Sequence, residues 1–277
     1  MEKTKSESRT RLSTGILIAV IIIAFLLFSH IPAVMAGVVV VLNLLAVYEI
    51  FQAAFMLYER KLLGTMLIVS VIVSLLPIPE YEKVLSYVFP VSALFFAHIM
   101  RRCRRCILDV PTWICGISIL VTLLFKAISS VRILDHGFFC LMFAVLSGCV
   151  TDISAYLTGK SLGRHKLCPV ISPNKTVEGS IGGIVGTVAV LLSLGFTLEK
   201  ANVMQVNLSA LTIYALLSSI IGQFGDLSMS AVKRCLGVKD YGNLFPGHGG
   251  ILDRFDSLLF IAPFTLLFCC HFGTFFL

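Results

Sequence analysis

Between Ser230 and Asp256 an otherwise strongly apolar chain brings charges and glycines together. Lys233, Arg234, Lys239 and Arg254 supply cations there, and Asp240, Asp253 and Asp256 supply carboxylates. Gly247, Gly249 and Gly250 flank His248, and a backbone without a Cβ can approach a ligand closely and take up positive φ. Carboxylates hold divalent cations and neighbouring cations hold phosphate, so the mixture points to phosphoryl or nucleotidyl transfer. Asp253 and Asp256 are three residues apart and can point to one side of a first helical turn. The helix dipole favours acids there in any case. Arg254 between them, and His248, Gly249 and Gly250 just before, go beyond what capping needs.

Three further groups carry chemistry. Asp152 and Tyr156 are four apart on one helical face, with Gly159 continuing it. A carboxylate within a membrane span costs about 2.5–3.5 kcal/mol at the centre and marks function by default; the plainer alternative is a helix-end Asp reaching interfacial water. In the second group, 172–180, Pro173 stiffens a turn and Thr176 or Ser172 can cap the helix that follows. Lys175 beside that helix start joins a cation to free amide donors, a good place for phosphate, although the same residues are also ordinary loop composition. The third group assumes a helix that continues past an apolar span. Asp226, Ser230, Lys233 and Gly237 then stack on one face at spacings of four, three and four. A surface Asp and Lys sharing a face would be worth only about 0.2–0.5 kcal/mol, and that reading leaves Asp226's closeness to the span unexplained.

These residues must be positioned by membrane helices. The chain has 277 residues, 57% hydrophobic and 13% charged, with mean hydropathy +0.96. Soluble domains carry roughly 25% charged residues, so the composition predicts an all-α polytopic integral membrane protein. The net charge of +7 does not indicate nucleic acid, because the basic residues fall in short loops between apolar runs, as positive-inside topology requires. The 9 cysteines lie mostly in apolar segments and read as reduced thiols. Cys103 and Cys106 form a lone CxxC with no second pair to complete a zinc site. The basic N-terminus is followed by an apolar run with no small-residue cleavage site, which predicts an uncleaved first helix.

Nine apolar segments are long enough to span with some tilt: 12–29, 33–56, 62–78, 83–100, 111–128, 137–157, 181–197, 208–226 and 257–276. The connectors sort by charge. Those at 59–61, 101–105, 160–175 and 233–254 are basic and fall on one side, which puts the N-terminus in the cytoplasm. The expected division is 1–135 as scaffold helices and 136–277 as helices carrying catalytic loops on the cytoplasmic face.

With the spacing Ser230-x-x-Lys233-Arg234-x4-Lys239-Asp240, then Pro246-x-His248-Gly249-Gly250-x-x-Asp253-Arg254-x-Asp256, the stretch resembles the signature of the CDP-diacylglycerol synthases, or phosphatidate cytidylyltransferases. Asp152-x-x-Ala155-Tyr156-x-x-Gly159, Ser172-Pro173-x-Lys175-Thr176-x-Glu178-Gly179 and Gly225-Asp226-Leu227 resemble other blocks of that family. The likeness covers 151–256; the N-terminal half resembles the family only in being a run of membrane helices. Asn174 stands where a basic residue is usual, and Ile153 where a small polar one is.

The resemblance implies condensation of CTP with phosphatidic acid to give CDP-diacylglycerol and pyrophosphate. It implies Mg²⁺ held by Asp226 and Asp253, with Asp256 and Asp152 in support. Lys233, Arg234 and Arg254 would neutralise the pyrophosphate or hold the lipid phosphate, and Lys175 would hold the nucleotide. Ser172, Thr176 and Ser230 would donate hydroxyls, while Lys239, Asp240 and His248 complete the substrate-binding signature. His248 is not needed as a general base, since a phosphate monoester with a second pKa of about 6 is already largely ionised. A homodimer is an expected assembly, and a bacterial cytoplasmic membrane the expected location. Two other classes share parts of the pattern. A transporter would place its polar residues near the midplane in two repeats, whereas here they cluster at one face and in one half. A CTP-using lipid kinase would need a base for its alcohol acceptor, and the density of cations favours a lipid that already carries phosphate.

Overall fold

The computed structural model describes residues 15, 20, 23–78, 80–102, 110–244, 249–273 and 275. Residues 23–28 are helical. Eight further helices follow: α1 (Pro32–Ala53), α2 (Arg60–Leu75), α3 (Tyr81–Arg102), α4 (Val110–Ile133), α5 (Gly137–Leu162), α6 (Val177–Lys200), α7 (Leu208–Cys235) and α8 (Leu252–Phe272). Seven of them, all but α2, are long and apolar enough to cross a membrane. The chain is an all-α polytopic membrane protein. Nine spans were expected. Among the described residues α2 has only 16 residues, and the first span is described only in part.

The helix ends follow local chemistry. Pro32 opens α1, where its missing N–H costs nothing. Asn207 caps α7 by accepting from the Ala210 amide at 3.1 Å. At the far end of α2, Lys126 of α4 donates to the carbonyls of Val73 (2.9 Å), Ser74 (3.3 Å) and Leu76 (2.8 Å). An ammonium in an apolar bundle is costly unless paired, and the unpaired carbonyls of a helix terminus supply that pairing.

α8 is the hub, packing on α1, α3, α4, α5 and α7. Its Phe260 ring meets Phe89 and Phe96 of α3 and Phe224 of α7. A Cβ at Gly225 would lie 2.8 Å from that ring, so glycine is what lets α7 and α8 close just before Asp226. In lipid, helices associate through close packing and interhelical hydrogen bonds, because hydrocarbon outside is as apolar as the core. Thr151 makes such bonds, to Thr187 of α6 at 2.7 Å and Ser219 of α7 at 3.0 Å.

One element was not expected. The loop after α5 contains an antiparallel hairpin of β1 (Lys166–Cys168) and β2 (Ser172–Thr176), pairing Lys166 with Thr176 and Cys168 with Ser172. The stretch around Pro173 is therefore a strand, and of the two expected caps it is Thr176 that serves. Its Oγ1 accepts from the Gly179 amide at 3.1 Å to start α6.

Candidate active site

A cavity of about 760 Å³ opens where the hairpin meets the ends of α5, α6, α7 and α8. Asp152 and Tyr156 of α5 line it one turn apart, as their spacing predicts. β2 contributes Ser172, Lys175 and Thr176, α7 contributes Gln223 and Asp226, and α8 contributes Arg254. Residues from four sequence blocks thus converge on one space.

At its centre Lys175 and Asp226 form an ion pair, and Ser230 donates to the other Asp226 oxygen at 3.3 Å. The two side chains are 28% and 21% exposed, so the pair faces the cavity rather than being sealed. α7 stays helical through Cys235, so Asp226, Ser230 and Lys233 do share a stripe. Gly237, expected to extend it, lies past the helix at φ +74°. Such a backbone favours glycine and ends the turn.

Beside the cavity lies a second cluster. Lys233 donates to Asp253 Oδ1 at 2.6 Å, both side chains being almost fully buried. Asp253 Oδ2 accepts from the amides of Tyr241 and Gly250, each at 2.9 Å. Asp226 and Asp253 were expected to share a metal. In this arrangement both Asp253 oxygens are already engaged by protein donors, and Asp253 ties Tyr241 and Gly250 to the first turn of α8. The Lys233 ammonium also sits 5.4 Å from the Tyr241 ring centroid. Burial first, and the nearby Asp253 charge second, push the Tyr241 phenol well above its ordinary pKa. It stays a neutral donor to Met229 O, at 2.9 Å.

Asp256 is buried, and its Oδ1 accepts from the Ser257 amide at 2.7 Å. It lies within electrostatic range of Asp226, Asp152 and Lys233, and Asp152 within range of Asp226, Lys175 and Arg254. Three carboxylates that repel one another need positive charge among them, and Lys175, Lys233 and Arg254 supply part of it. Among the described residues no three acidic, His or Cys side chains converge closely enough to hold a metal ion alone. Asp152 and Asp226, which line the cavity, are oxygen donors of the kind a hard cation such as Mg²⁺ takes, usually one or two carboxylates together with substrate phosphates and water.

The remaining expected residues fall elsewhere. Arg234 donates from Nε to Ile171 O (3.1 Å) and from a terminal nitrogen to Val238 O (3.3 Å), which bolts the hairpin to the end of α7. Lys239 and Asp240 are exposed and do not line the cavity. His248 lies outside the described residues.

One residue at the site was not anticipated. Glu49 of α1 is buried, and its two oxygens accept from the amides of Ile251 (2.8 Å) and Leu252 (2.9 Å) at the start of α8. The signal for it was available: an acid inside an apolar span is itself a mark of function.

Residues 9–272 match the profile of the Cytidylyltransferase family. The chain belongs to that family. Relatives include proteins named phosphatidate cytidylyltransferase from Staphylococcus haemolyticus (strain JCSC1435), 45% identical over 129 residues, and from Staphylococcus aureus (strain COL), 46% identical over 129 residues. A third, from Staphylococcus saprophyticus, is also 46% identical. Each alignment covers 47% of this chain and 48% of the relative, so the chain spans about half the length of the curated relatives it matches. In this member of the family the cavity is lined from α5–α8 and the hairpin, and Glu49 of α1 binds the start of α8 beside it.

Proposed function

We propose that this cytidylyltransferase-family protein transfers the cytidylyl group of CTP to phosphatidic acid, giving CDP-diacylglycerol and pyrophosphate. The observation that carries the reading is a single cavity at the ends of membrane helices, in which the Lys175–Asp226 pair, Asp152 and Arg254 face one another. Its supports are the family membership and the relatives named phosphatidate cytidylyltransferase.

An oxygen of the lipid phosphate attacks the α-phosphorus of CTP. A new P–O bond forms in line with the bond to the β-phosphate, which breaks and releases pyrophosphate. The acceptor is already ionised, so the protein's work is positioning and charge neutralisation. Lys175 and Arg254 hold phosphate oxygens, and Ser172 and Thr176 offer hydroxyls at the cavity wall. Lys233 keeps Asp253, and with it the start of α8, in place. Mg²⁺ would be held by Asp226 with Asp152 or Asp256, and would supply neutralisation of the phosphate charge. The site would face the cytoplasm, where the basic loops belong and CTP is found.

The test uses detergent-purified protein, Mg²⁺, CTP labelled at the α-phosphate and phosphatidic acid. Label should enter the lipid phase only with phosphatidic acid, and Asp226→Asn should abolish it. No lipid label from α-labelled CTP, with transfer from γ-labelled CTP to a polyprenol in its place, would replace this reading with a lipid kinase.

A further inference from the structure

The two-carboxylate clamp at the start of α8 is shared between distant parts of the chain. Ile251 and Leu252 give their amides to Glu49, while Tyr241 and Gly250 give theirs to Asp253. Three consecutive amides, those of Gly250, Ile251 and Leu252, and the more distant amide of Tyr241 are thus divided between two acids. Glu49 reaches them from 202 residues away in sequence. The space around it is closed. A Cβ on Gly250 would meet the Glu49 carboxylate at 2.4 Å, and one on Gly242 would meet it at 3.0 Å. Both glycines therefore leave room for this one side chain.

A buried acid near another acid is costly unless its charge is matched by donors. Capping could be met far more cheaply by a Ser, Thr or Asp on the loop itself. Instead an acid from α1 fixes the first turn of α8, from which Arg254 enters the cavity and Asp256 approaches Asp226 and Asp152.

We propose that Glu49 is a positioning residue for the transfer site: it holds the start of α8 so that Arg254 and Asp256 are presented to the cavity. The claim about turnover rests on the cytidylyl-transfer reading; the claim about α8 does not. A glutamine at this position offers one acceptor oxygen and sets an NH₂ against the second amide, so the first turn must shift. A shift of about 1 Å in a catalytic frame costs about 100-fold in rate.

The experiment compares wild type, Glu49→Gln, Glu49→Asp and Lys126→Met. Lys126→Met serves as a control, because it removes a buried helix cap of α2 away from the cavity. Each protein is measured for kcat and KM for CTP, for thermal midpoint, and for amide hydrogen exchange across 249–256. Glu49→Gln should lose about 100-fold in kcat with KM for CTP changed far less. Its 249–256 amides should exchange faster at temperatures where the rest of the protein stays protected. Glu49→Asp keeps the charge on a shorter stem and should recover part of both. Lys126→Met should lower the midpoint without either effect. Unchanged exchange in Glu49→Gln overturns the proposal, as does a kcat loss that Lys126→Met reproduces at an equal midpoint shift. If wild type transfers no cytidylyl group, the transfer reading fails, and the exchange data alone decide what Glu49 does.

Discussion

Asp226, inside α7, and Asp253, in the first turn of α8, have opposite surroundings. Asp226 faces the cavity, paired with Lys175 and touched by Ser230. Asp253 is buried, with its oxygens shared among Lys233 and two amides. Neutralising each should therefore have different consequences. Asp253→Asn leaves the Lys233 ammonium buried without a counter-charge and turns an NH₂ toward donors. Breaking such a pair from one side costs about 3–5 kcal/mol, so the thermal midpoint should fall sharply and activity should vanish with the fold. Asp226→Asn leaves Lys175 able to reach cavity water, and the midpoint should barely move while transfer is lost. Thermal unfolding of both variants, monitored in detergent beside the transfer assay, checks the contrast. Equal midpoints would mean that Asp253 is not a clamp, and would return it to the role of metal ligand that its place in the signature suggests.

At the scale of elements, the site depends on how closely α5 and α6 approach. The buried residues of α6 are Gly179, Gly183, Thr187, Leu191 and Gly195, every fourth position. Gly179 and Gly183 meet Ala155 and Gly159 of α5: a Cβ on Gly179 would lie 2.8 Å from Ala155 O, and one on Gly183 would lie 3.2 Å from Ala155 Cβ. Small residues four apart let backbones touch, as membrane helices require. Gly179→Val should push the helices apart and destabilise by about 1–3 kcal/mol. It should also carry the Thr176 cap and Lys175 away from Asp226, so that transfer falls with stability. Gly64→Val, where nothing lies within 4 Å, should change neither; loss of transfer there too would mean that bulk in any span disturbs the site. The polar blocks of this half were legible in the sequence for two reasons: a charge in or against an apolar run is costly and needs a reason, which singled out Asp152 and Asp226, and cations beside helix starts and carboxylates suit phosphate, which singled out Lys175 and Arg254. The hairpin was not legible. Ser172–Thr176 has the composition of a turn, and its strand character comes only from pairing with 166–168 and from Arg234 holding Ile171. Glu49 was hidden differently: it lay inside a run counted as one span, and its partners are contributed by the other end of the chain.

For the whole molecule, the helices set which surfaces share a side of the membrane. α6 leaves the hairpin and rises about 36 Å over its 24 residues at about 1.5 Å per residue, enough to cross hydrocarbon of about 30 Å. α7 then returns to the cavity through Asp226 and ends at Cys235. Val203, at the turn between them, and Lys239, just past α7, must therefore lie on opposite faces, and both are exposed. On the proposed reading the Lys239 face is the cytoplasmic one, as the basic connectors would have it. In a chain whose native cysteines are replaced by serine, a membrane-impermeant maleimide added to intact cells should label Val203→Cys and leave Lys239→Cys untouched. Inside-out vesicles should reverse the pattern. Labelling of Lys239→Cys from outside would place the cavity away from cytosolic CTP and remove the physiological basis of cytidylyl transfer. Labelling of both positions from one side would mean that α7 does not cross at all. Because α7 carries Asp226, Ser230 and Lys233 on one stripe, that result would also undo the geometry on which the site rests.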